Sequence, residues 1–283
     1  MTLKEQLQTH LHEIARERDP FMATAGHFFV QEYIRQQFAQ WGSVEIHTFR
    51  VRGKSCQNLI LNLPGQAVGK NGDLPPILIG AHYDAVPGTP GADDNATGVA
   101  VLLELARIFA AQPAKYSLRL VAFDMEEYGL LGSAEYADLL RQQQQPLRLM
   151  MSLEMLGYCN SIPGSQNYPA PLEKFYPNTG DFIALIGNLR TIRDLISISR
   201  SIRKVGVASQ WLPVPNRGLI VRQTRLSDHA PFWDLGYPAI MVTDTAFMRN
   251  PHYHKSSDAI ATLDLDFLTG VCQGLELGIR RLI

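Results

Sequence analysis

Residues 76–84 have the sequence PILIGAHYD, in which a short apolar run ends in a histidine and an aspartate. Two later segments repeat this arrangement: LRLVAFDMEE over residues 118–127 and LMMSLE over residues 149–154. Each run has the length and composition of a buried strand, and the stretches between the runs have a helical pattern, at about 97–112 and 130–143. This βαβαβ alternation predicts a largely parallel sheet that is buried on both faces.

The predicted strands end in side chains that can carry chemistry. In open α/β sheets, ligands bind beyond the carboxyl ends of the strands. We therefore expect the polar residues that follow the three runs to meet at one edge of the sheet. These residues are His82, Asp84, Asp124, Glu126, Glu127 and Glu154.

The rest of the chain is consistent with the same fold class. We predict an α/β fold with a mixed, mostly parallel central sheet sandwiched by helices, formed by residues 1–283 as a single domain. Its further helices are predicted at residues 3–18, 24–41, 190–204 and 264–282. In the second of these helices, the predicted apolar set is Phe28, Phe29, Tyr33, Ile34 and Phe38.

The remaining segments are predicted as strands and loops. The further strands are predicted at residues 44–51, as an edge strand, and at 58–63, 182–187 and 237–243. Residues 160–180 are predicted as a surface loop and residues 208–227 as irregular. We expect residues 158–227 together to be an insertion that walls a substrate pocket. Its apolar residues, such as Phe175, Phe182, Trp211 and Leu212, indicate an apolar or aromatic first residue of the substrate.

Composition argues against several classes of protein. The chain has 283 residues, 46% hydrophobic and 19% charged, which is an ordinary globular balance. Its net charge is −1 and no long basic run occurs, so we expect no nucleic-acid partner. We expect no membrane partner and a cytoplasmic location, because the chain lacks a long apolar segment and an N-terminal signal pattern. Three widely spaced cysteines support neither a disulfide scaffold nor a zinc ribbon, and the oligomeric state stays open.

Acidic and imidazole groups of this kind indicate a metal site. Carboxylates together with imidazoles suit Zn²⁺ and, less selectively, Mn²⁺ or Co²⁺. Two adjacent ions need one carboxylate that reaches both and two further protein ligands for each ion. The sequence supplies five such ligands and an additional acid that can act as a base. The candidates are His82, Asp84, Asp94, Glu126, Glu127, Glu154 and His254.

Five segments of the chain resemble peptidase family M28, the co-catalytic zinc aminopeptidases. Their order and rough spacing are similar to the family pattern over about residues 76–282. The resemblance implies a metallo-aminopeptidase that uses two zinc ions and a metal-bound water to hydrolyse the first peptide bond of a peptide with a free N-terminus. The segments are AHYDAVPGTPGADDNATG (81–98), MEEYGLLGS (125–133), LEMLGY (153–158), SDHAPFWDLGYPAIMVTDT (227–245) and NPHYHKSSD (250–258).

The resemblance implies a position for each metal ligand. Asp94 would bridge the two ions, and the peptide bond that follows it is often cis in the family. His82 and Glu154 would complete the first site. Glu127 and His254 would complete the second site.

The resemblance also implies which groups act on the substrate. Glu126 would be the general base, which takes a proton from the water and delivers it to the leaving amine. Its neighbour Glu127 can bind metal at the same time, because adjacent side chains point in different directions on an extended backbone. Tyr253 would stabilise the oxyanion that forms at the scissile carbonyl.

Two acids would orient the metal-binding histidines, and one ligand departs from the family pattern. Asp84 would hold the second ring nitrogen of His82, and Asp258 would orient His254. The family usually has Asp at the position of Glu154. The additional methylene group changes how this carboxylate reaches the metal, so a single zinc ion is an alternative to two. In aminopeptidase relatives this carboxylate also helps to hold the free amine of the substrate.

Neighbouring residues compete for some of these roles. The motif that follows favours Asp94 over Asp93 as the bridging residue, with Asp93 in a turn. The Tyr-His pattern favours His254 over His252, which we expect to be a loop residue. His229 is predicted to make a structural hydrogen bond and to cap the short helix that follows it.

Two other functional classes remain as alternatives. Glutaminyl cyclases resemble this family closely and perform acyl transfer with one zinc ion, so most of the same ligands would be present. A non-catalytic relative that keeps the fold as an interaction module would normally have lost ligands. The complete ligand set and the Glu126-Glu127 motif favour the peptidase.

Overall fold

A computed structural model of the chain describes residues 1–66, 68–69, 72–170 and 172–282. In it, two layers of helices enclose a central sheet. Pro171, within the segment predicted as a surface loop, lies outside the described residues. The helices are α1 (Leu3–Ile14), α2 (Thr24–Ala39), α3 (Gly98–Ala111), α4 (Leu131–Gln142), α5 (Ile192–Lys204), α6 (His229–Asp234) and α7 (Leu265–Arg280). The strands are β1 (Val44–Val51), β2 (Lys54–Leu63), β3 (Val68–Gly69), β4 (Gly72–Asp73), β5 (Ile77–His82), β6 (Leu118–Phe123), β7 (Leu149–Glu154), β8 (Phe182–Asn188), β9 (Ala208–Val214) and β10 (Ala239–Thr243).

Eight of these strands form one sheet in the order β1-β2-β6-β5-β7-β10-β8-β9, while β3 and β4 pair separately. The centre of the sheet, from β6 through β5 and β7 to β10, is parallel. Strand β1 is an antiparallel edge strand, as predicted, and β10 pairs antiparallel with β8. The predicted mixed, mostly parallel α/β fold is therefore confirmed.

The central strands are buried because helices cover both faces of the sheet. Ile77 and Ile79 of β5 lie in the core cluster that also contains residues of α1, α3, α5 and α7. Leu78, between them, belongs to the cluster on the other face, which contains Tyr136 of α4 and Trp233 of α6. This alternation is the two-residue period of a strand, so a continuous apolar run supplies both faces with core residues.

Two local predictions differ from the structure. Residues 208–227 were predicted as irregular because of Pro213 and Pro215, but Ala208–Val214 forms strand β9 at the edge of the sheet. An edge strand leaves one row of backbone groups unpaired, so it tolerates a proline that has no N–H to donate.

The buried face of α2 also differs from the prediction. Phe28 and Phe29 are exposed, and the buried residues are His27, Val30, Ile34 and Phe38. His27 points inward on the same face as the fully buried Val30, Ile34 and Phe38, and its Nε2 lies 2.8 Å from Oδ1 of the buried Asp124. None of the described helices is long and apolar enough to span a lipid bilayer.

Candidate active site

The ends of three neighbouring parallel strands bring the predicted site residues together. His82 is the last residue of β5, and Glu154 is the last residue of β7, the next strand in the sheet. Glu126 and Glu127 follow β6 on the other side of β5. The expected convergence of polar side chains at one edge of the sheet is therefore present.

Asp94 lies between the two histidines predicted to bind metal. Its Oδ1 is 3.3 Å from Nε2 of His82, and its Oδ2 is 3.1 Å from Nε2 of His254. Although burial opposes ionisation, these two histidines hold the pKa of Asp94 below its usual value. One carboxylate with an oxygen toward each histidine is the arrangement that a bridging ligand requires.

Two groups of three side chains share Asp94. His82, Asp94 and Glu154 form the first group, and Asp94, Glu127 and His254 form the second; the ligand atoms within each group lie within 4.8 Å of one another. Glu154 Oε1 is 3.7 Å from His82 Nε2, and Glu127 Oε2 is 3.4 Å from His254 Nε2. These nitrogen and oxygen donors fit a divalent ion such as Zn²⁺ in each group.

Two buried atoms of these groups make no hydrogen bond among the described residues, namely His82 Nε2 and Glu127 Oε1. A buried polar atom without a partner is costly, so such atoms are expected where an ion completes the structure. Glu126 also lies within reach, with its Oε2 4.0 Å from His82 Nε2, and it forms a further possible group with His82 and Glu127.

The backbone around Asp94 is held by residues distant in sequence. Asp258 accepts hydrogen bonds from the backbone N–H groups of Asp93 and Asp94, at 3.0 and 3.1 Å. Asp258 is predicted to orient His254; the hydrogen bonds of its carboxylate are instead to the segment that carries Asp94, the candidate bridging residue. The peptide bond between Asp94 and Asn95 is cis.

Asp93 has a structural position, distinct from that of Asp94. Its carboxylate accepts hydrogen bonds from the Gly157 N–H at 2.9 Å and from the Asn250 side chain at 2.7 Å. It belongs to neither metal-binding group found among the described residues. The turn residue and the candidate bridging residue are therefore separated as the sequence predicted.

Asp84 links the first histidine to the two adjacent glutamates. Its Oδ1 lies 3.4 Å from Nδ1 of His82, in line with the predicted contact. Its two oxygens also accept hydrogen bonds from the backbone N–H groups of Glu126 and Glu127, both at 3.1 Å. Asp84 therefore positions both the candidate base and a candidate ligand.

The glycine-rich motif after these glutamates allows α4 to begin directly against β6. A Cβ atom at Gly132 would lie 2.2 Å from the carbonyl oxygen of Asp124, which excludes any side chain there. Asn58 reinforces this junction, because its amide donates to the Gly132 carbonyl at 2.8 Å and accepts from the Asp124 N–H at 3.0 Å. The turn that carries Glu126 is thus fixed at both ends.

Burial determines the proton affinity of the candidate base. Burial raises the pKa of Glu126 well above its usual value, and the neighbouring carboxylates of Glu154 and Glu127 raise it further, while His82 opposes this shift. A carboxyl group with a raised pKa can both accept and return a proton near neutral pH.

Tyr253 lies beside His254, and their rings stack with centroids 3.7 Å apart. Burial raises the pKa of Tyr253, and nearby carboxylates raise it further, so the hydroxyl stays protonated and can donate a hydrogen bond.

His252 is outside both metal groups, with its Nδ1 3.0 Å from Ser257 Oγ. His229 makes the predicted structural hydrogen bond, at 2.8 Å to the Thr224 carbonyl, but it is the first residue of α6 and does not cap it.

Sequence reasoning missed three residues at the site. Ser227 and Ser152 form a buried hydroxyl pair against Glu154. Arg18 is fully buried, and its guanidinium donates to backbone carbonyls that include those of Gly91 and Asp94, at 2.8 and 3.2 Å. Ser152 could have been found, since it precedes Glu154 by two residues on one strand face; no local pattern indicates Ser227 or Arg18.

An apolar cavity lies next to the candidate metal site. One cavity is lined by Glu154 and Tyr253 and by Phe247 and Leu226. A second cavity shares four lining residues with it: Ile186, Gln223, Thr245 and Met248. Aromatic and aliphatic side chains dominate the second cavity, among them Tyr168, Tyr176, Phe182, Trp211 and Leu212. Phe175, expected in this wall, is exposed and does not line the cavity.

Residues 58–274 match the model of peptidase family M28. The chain therefore belongs to this family, as its motifs predicted. Among curated proteins, it is 39% identical over 261 residues to YfbL, an uncharacterized protein of Escherichia coli (strain K12), with 86% of this chain and 77% of YfbL covered. It is 38% identical over 118 residues to the aminopeptidase YwaD of Bacillus subtilis (strain 168). That match covers 38% of this chain and 26% of YwaD, so the aligned segment is about a quarter of that relative's length.

Solved structures share the fold. The Legionella pneumophila LapA aminopeptidase superimposes with a TM-score of 0.73 at 20% identity, covering 98% of this chain and 71% of LapA. BSAP, a zinc aminopeptidase from Bacillus subtilis, has a TM-score of 0.59 at 25% identity and covers 81% of this chain and 50% of that one. A glutaminyl cyclase from Macrostomum lignano has a TM-score of 0.71 at 20% identity, covering 97% of this chain and 88% of the cyclase. The family match, together with the aminopeptidases YwaD and BSAP, supports the predicted hydrolysis of peptide bonds.

Proposed function

We propose that this protein is a zinc-dependent aminopeptidase that binds two zinc ions and removes the first residue from peptides with a free N-terminus. One observation carries the proposal: the two oxygens of Asp94 face different histidines, at 3.3 and 3.1 Å, and each histidine has its own further carboxylate. Zinc is the ion named for related aminopeptidases such as BSAP. The donor set of imidazoles and carboxylates suits it.

Bound zinc ions would polarise the scissile carbonyl and lower the pKa of the attacking water. Glu126 takes the proton from that water on its carboxylate as the C–O bond forms. It then delivers the proton to the amine nitrogen as the C–N bond breaks. Asp84 supports this transfer, because its hydrogen bond to the Glu126 N–H holds the base in place.

Tyr253 is proposed to stabilise the oxyanion of the substrate. Its hydroxyl stays protonated because burial raises its pKa, and its ring is held by stacking on His254. A donor that is already oriented toward developing charge lowers the barrier without reorganisation.

We propose that the apolar cavity accepts the side chain of the first substrate residue. It adjoins the cavity that contains Glu154 and Tyr253, so a side chain can extend away from the scissile bond into it. Most of its apolar lining, including Phe182, Trp211 and Leu212, comes from residues 158–227. This favours a first residue with a large apolar or aromatic side chain, in agreement with the sequence prediction for this segment.

The alternative of a one-zinc glutaminyl cyclase is less favoured. A single ion would occupy only one of the two groups and would leave the other, His82 with Glu154 or Glu127 with His254, without an ion. The fold likeness to a cyclase, at 20% identity, carries no information on the reaction. A non-catalytic role is also disfavoured because both groups are complete.

The decisive experiment compares Glu126→Gln with the wild type. We expect two zinc ions per chain in both proteins, because glutamine removes the base and no proposed ligand. Turnover of aminoacyl-nitroanilides should fall by about 10²–10⁴-fold, the usual contribution of general acid–base catalysis. Leucyl and phenylalanyl substrates should be preferred over glycyl ones, because only large side chains fill the cavity.

Glu135→Gln is the matched control, because it makes the same change at an exposed position of α4. It should leave both zinc content and turnover unchanged. Retained turnover in Glu126→Gln would contradict the role of this base. Cyclisation of an N-terminal glutaminyl peptide, without hydrolysis of the nitroanilides, would instead support the cyclase.

A further inference from the structure

Two buried polar side chains, Arg249 and Gln166, lie behind the lining of the apolar cavity. Both are almost completely buried, and in the described part of the chain neither is among the residues that line this cavity or the one beside the metal site. Nε of Arg249 donates a hydrogen bond of 2.8 Å to Oε1 of Gln166. Because the donor is charged and both side chains are buried, this bond is strong and its loss is costly.

Arg249 holds one wall of the apolar cavity through Phe182. Its Nη1 donates to the Phe182 carbonyl at 2.7 Å, and its guanidinium carbon lies 4.5 Å from the centre of the Phe182 ring. A Cβ atom at Gly180 would lie 3.1 Å from Cδ of Arg249, so the chain that leads to Phe182 passes close to the arginine. Since Phe182 lines the cavity, Arg249 fixes both the backbone and the ring of a wall residue.

Gln166 belongs to the segment that forms another side of the cavity. This wall segment comprises residues 160–170 and 172–180. Its Tyr168 and Tyr176 line the cavity, and their rings stack with centroids 5.9 Å apart. The bond between Arg249 and Gln166 therefore joins two parts of the cavity wall.

The wall segment is also bound to the loop after β10. Thr245 and Met248 of this loop line the cavity. Nε2 of Gln166 donates to Oγ1 of Thr245 at 3.0 Å, and the Asn167 N–H donates to the Met248 carbonyl at 2.9 Å. Arg249 directly follows Met248, so its bond to Gln166 completes the connection between the wall segment and this loop.

We propose that Arg249 and Gln166 are positioning residues that set the preference for the first substrate residue, because they hold the walls of the apolar cavity in place. The inference rests on the proposed function, since it takes this cavity as the pocket for that residue. A phenylalanyl side chain would contact the walls that the pair holds, whereas an alanyl methyl group is too short to reach them. Loss of the pair should therefore weaken the binding of large side chains and leave the chemistry at the metal site unchanged.

The experiment measures kcat and KM for phenylalanyl and alanyl nitroanilides in Arg249→Met and in Gln166→Leu. In Arg249→Met, KM for the phenylalanyl substrate should rise by about 10-fold, the effect of one misplaced methylene group in an apolar pocket. Its kcat, both constants for the alanyl substrate and the zinc content should stay at the wild-type values. Gln166→Leu should raise the same KM, and the double variant should raise it no further than Arg249→Met does, because both changes break one connection.

Another Arg–Gln pair of the chain provides the matched control. Nη1 of Arg119 donates to Oε1 of Gln145, also at 2.8 Å, and Arg119 lies at the opposite end of β6 from Glu126. Arg119→Met and Gln145→Leu should leave the KM for both substrates unchanged.

Binding of the expected products, L-phenylalanine and L-alanine, gives a second readout that needs no turnover. In calorimetric titrations, Arg249→Met and Gln166→Leu should weaken L-phenylalanine binding by about 10-fold and leave L-alanine binding unchanged. A wild type that binds L-phenylalanine more tightly than L-alanine but hydrolyses no nitroanilide would refute the proposed hydrolysis alone, and the titrations of the variants would still decide the inference.

Two results would overturn the inference. One is an unchanged preference for phenylalanine over alanine in both single variants. The other is an equal loss for the two side chains, because a general structural effect does not depend on side-chain size. Burial lowers the pKa of Arg249, and the Asp244 carboxylate opposes this shift, so Arg249→Met also removes a charge that this acid attracts. If that variant does not fold, Gln166→Leu decides, because it leaves the charge in place.

Discussion

Asp258 provides a test of how the protein holds the candidate bridging ligand. Its buried carboxylate accepts from the N–H groups of Asp93 and Asp94, at 3.0 and 3.1 Å. Asp258→Asn replaces one accepting oxygen by an NH₂ group, which cannot accept. The backbone N–H on that side then loses its partner in a buried environment.

The size of the effect follows from these two bonds. A hydrogen bond to a charged acceptor contributes about 1.5–3 kcal/mol, and asparagine keeps one bond to a neutral acceptor. We therefore expect zinc-loaded Asp258→Asn to lose about 2 kcal/mol of unfolding free energy. The loss should be smaller in zinc-free protein, because removal of the charge also relieves its repulsion of Asp94.

Chelator competition and denaturant unfolding measure the two consequences. Zinc affinity should fall by about 10–100-fold, because a displaced Asp94 backbone misplaces the carboxylate that is proposed to bridge the two ions. Asp266→Asn is the control: it removes the same charge from a side chain that is 83% exposed and forms an ion pair with Lys4 at 2.7 Å. Normal zinc affinity in Asp258→Asn, or an equal loss in Asp266→Asn, would refute this reasoning.

Two further predictions concern stability. Burial lowers the pKa of His229 from 6.5 to about 3. As the pH falls below 6.5, the unfolded chain therefore binds a proton that the folded chain excludes, and the folded state loses stability. In denaturant unfolding, the wild type should lose about 2 kcal/mol more stability between pH 7 and pH 5 than His229→Gln does. Identical pH profiles for the variant and the wild type would contradict this. The Asp264 side chain caps α7, because it accepts hydrogen bonds from the N–H groups of Asp266 and Phe267 at 3.0 and 2.9 Å. Asp264→Ala should therefore lower the unfolding free energy by about 1 kcal/mol, and Asp264→Asn should lower it much less. An equal loss in the two variants would show that the cap is not the cause.

The parallel core of the fold could be predicted from local patterns. The runs that became β5, β6 and β7 are mostly apolar, with Arg119 and Ser152 as exceptions, because helices cover both faces of the sheet and leave few polar positions. The acids and the histidine at their ends then meet because parallel strands present their carboxyl ends at one edge. The residue pattern alone therefore predicts that these side chains meet, because parallel strands all place their carboxyl ends at the same edge of the sheet.

Patterns were less informative where a tertiary contact outweighed local preference. Two prolines indicated a loop at residues 208–227, yet an edge position in the sheet accommodates Pro213 within β9. The apolar Phe28 and Phe29 indicated the buried face of α2, yet both are exposed, and the inward face carries Val30 and also His27, which contacts the buried Asp124. In both cases a partner distant in the chain decided the outcome.

The amino-acid sequence by itself determined the family, the fold class and the set of candidate metal-binding side chains, because each depends on residue type and spacing along short segments. Only the tertiary structure decided how those side chains are held. Asp258 supports Asp94 from 164 residues away, and Ser227 supports Glu154 from 73 residues away. Such hydrogen bonds depend on ångström-scale distances between segments that pack together only in the folded chain, so no local pattern encodes them.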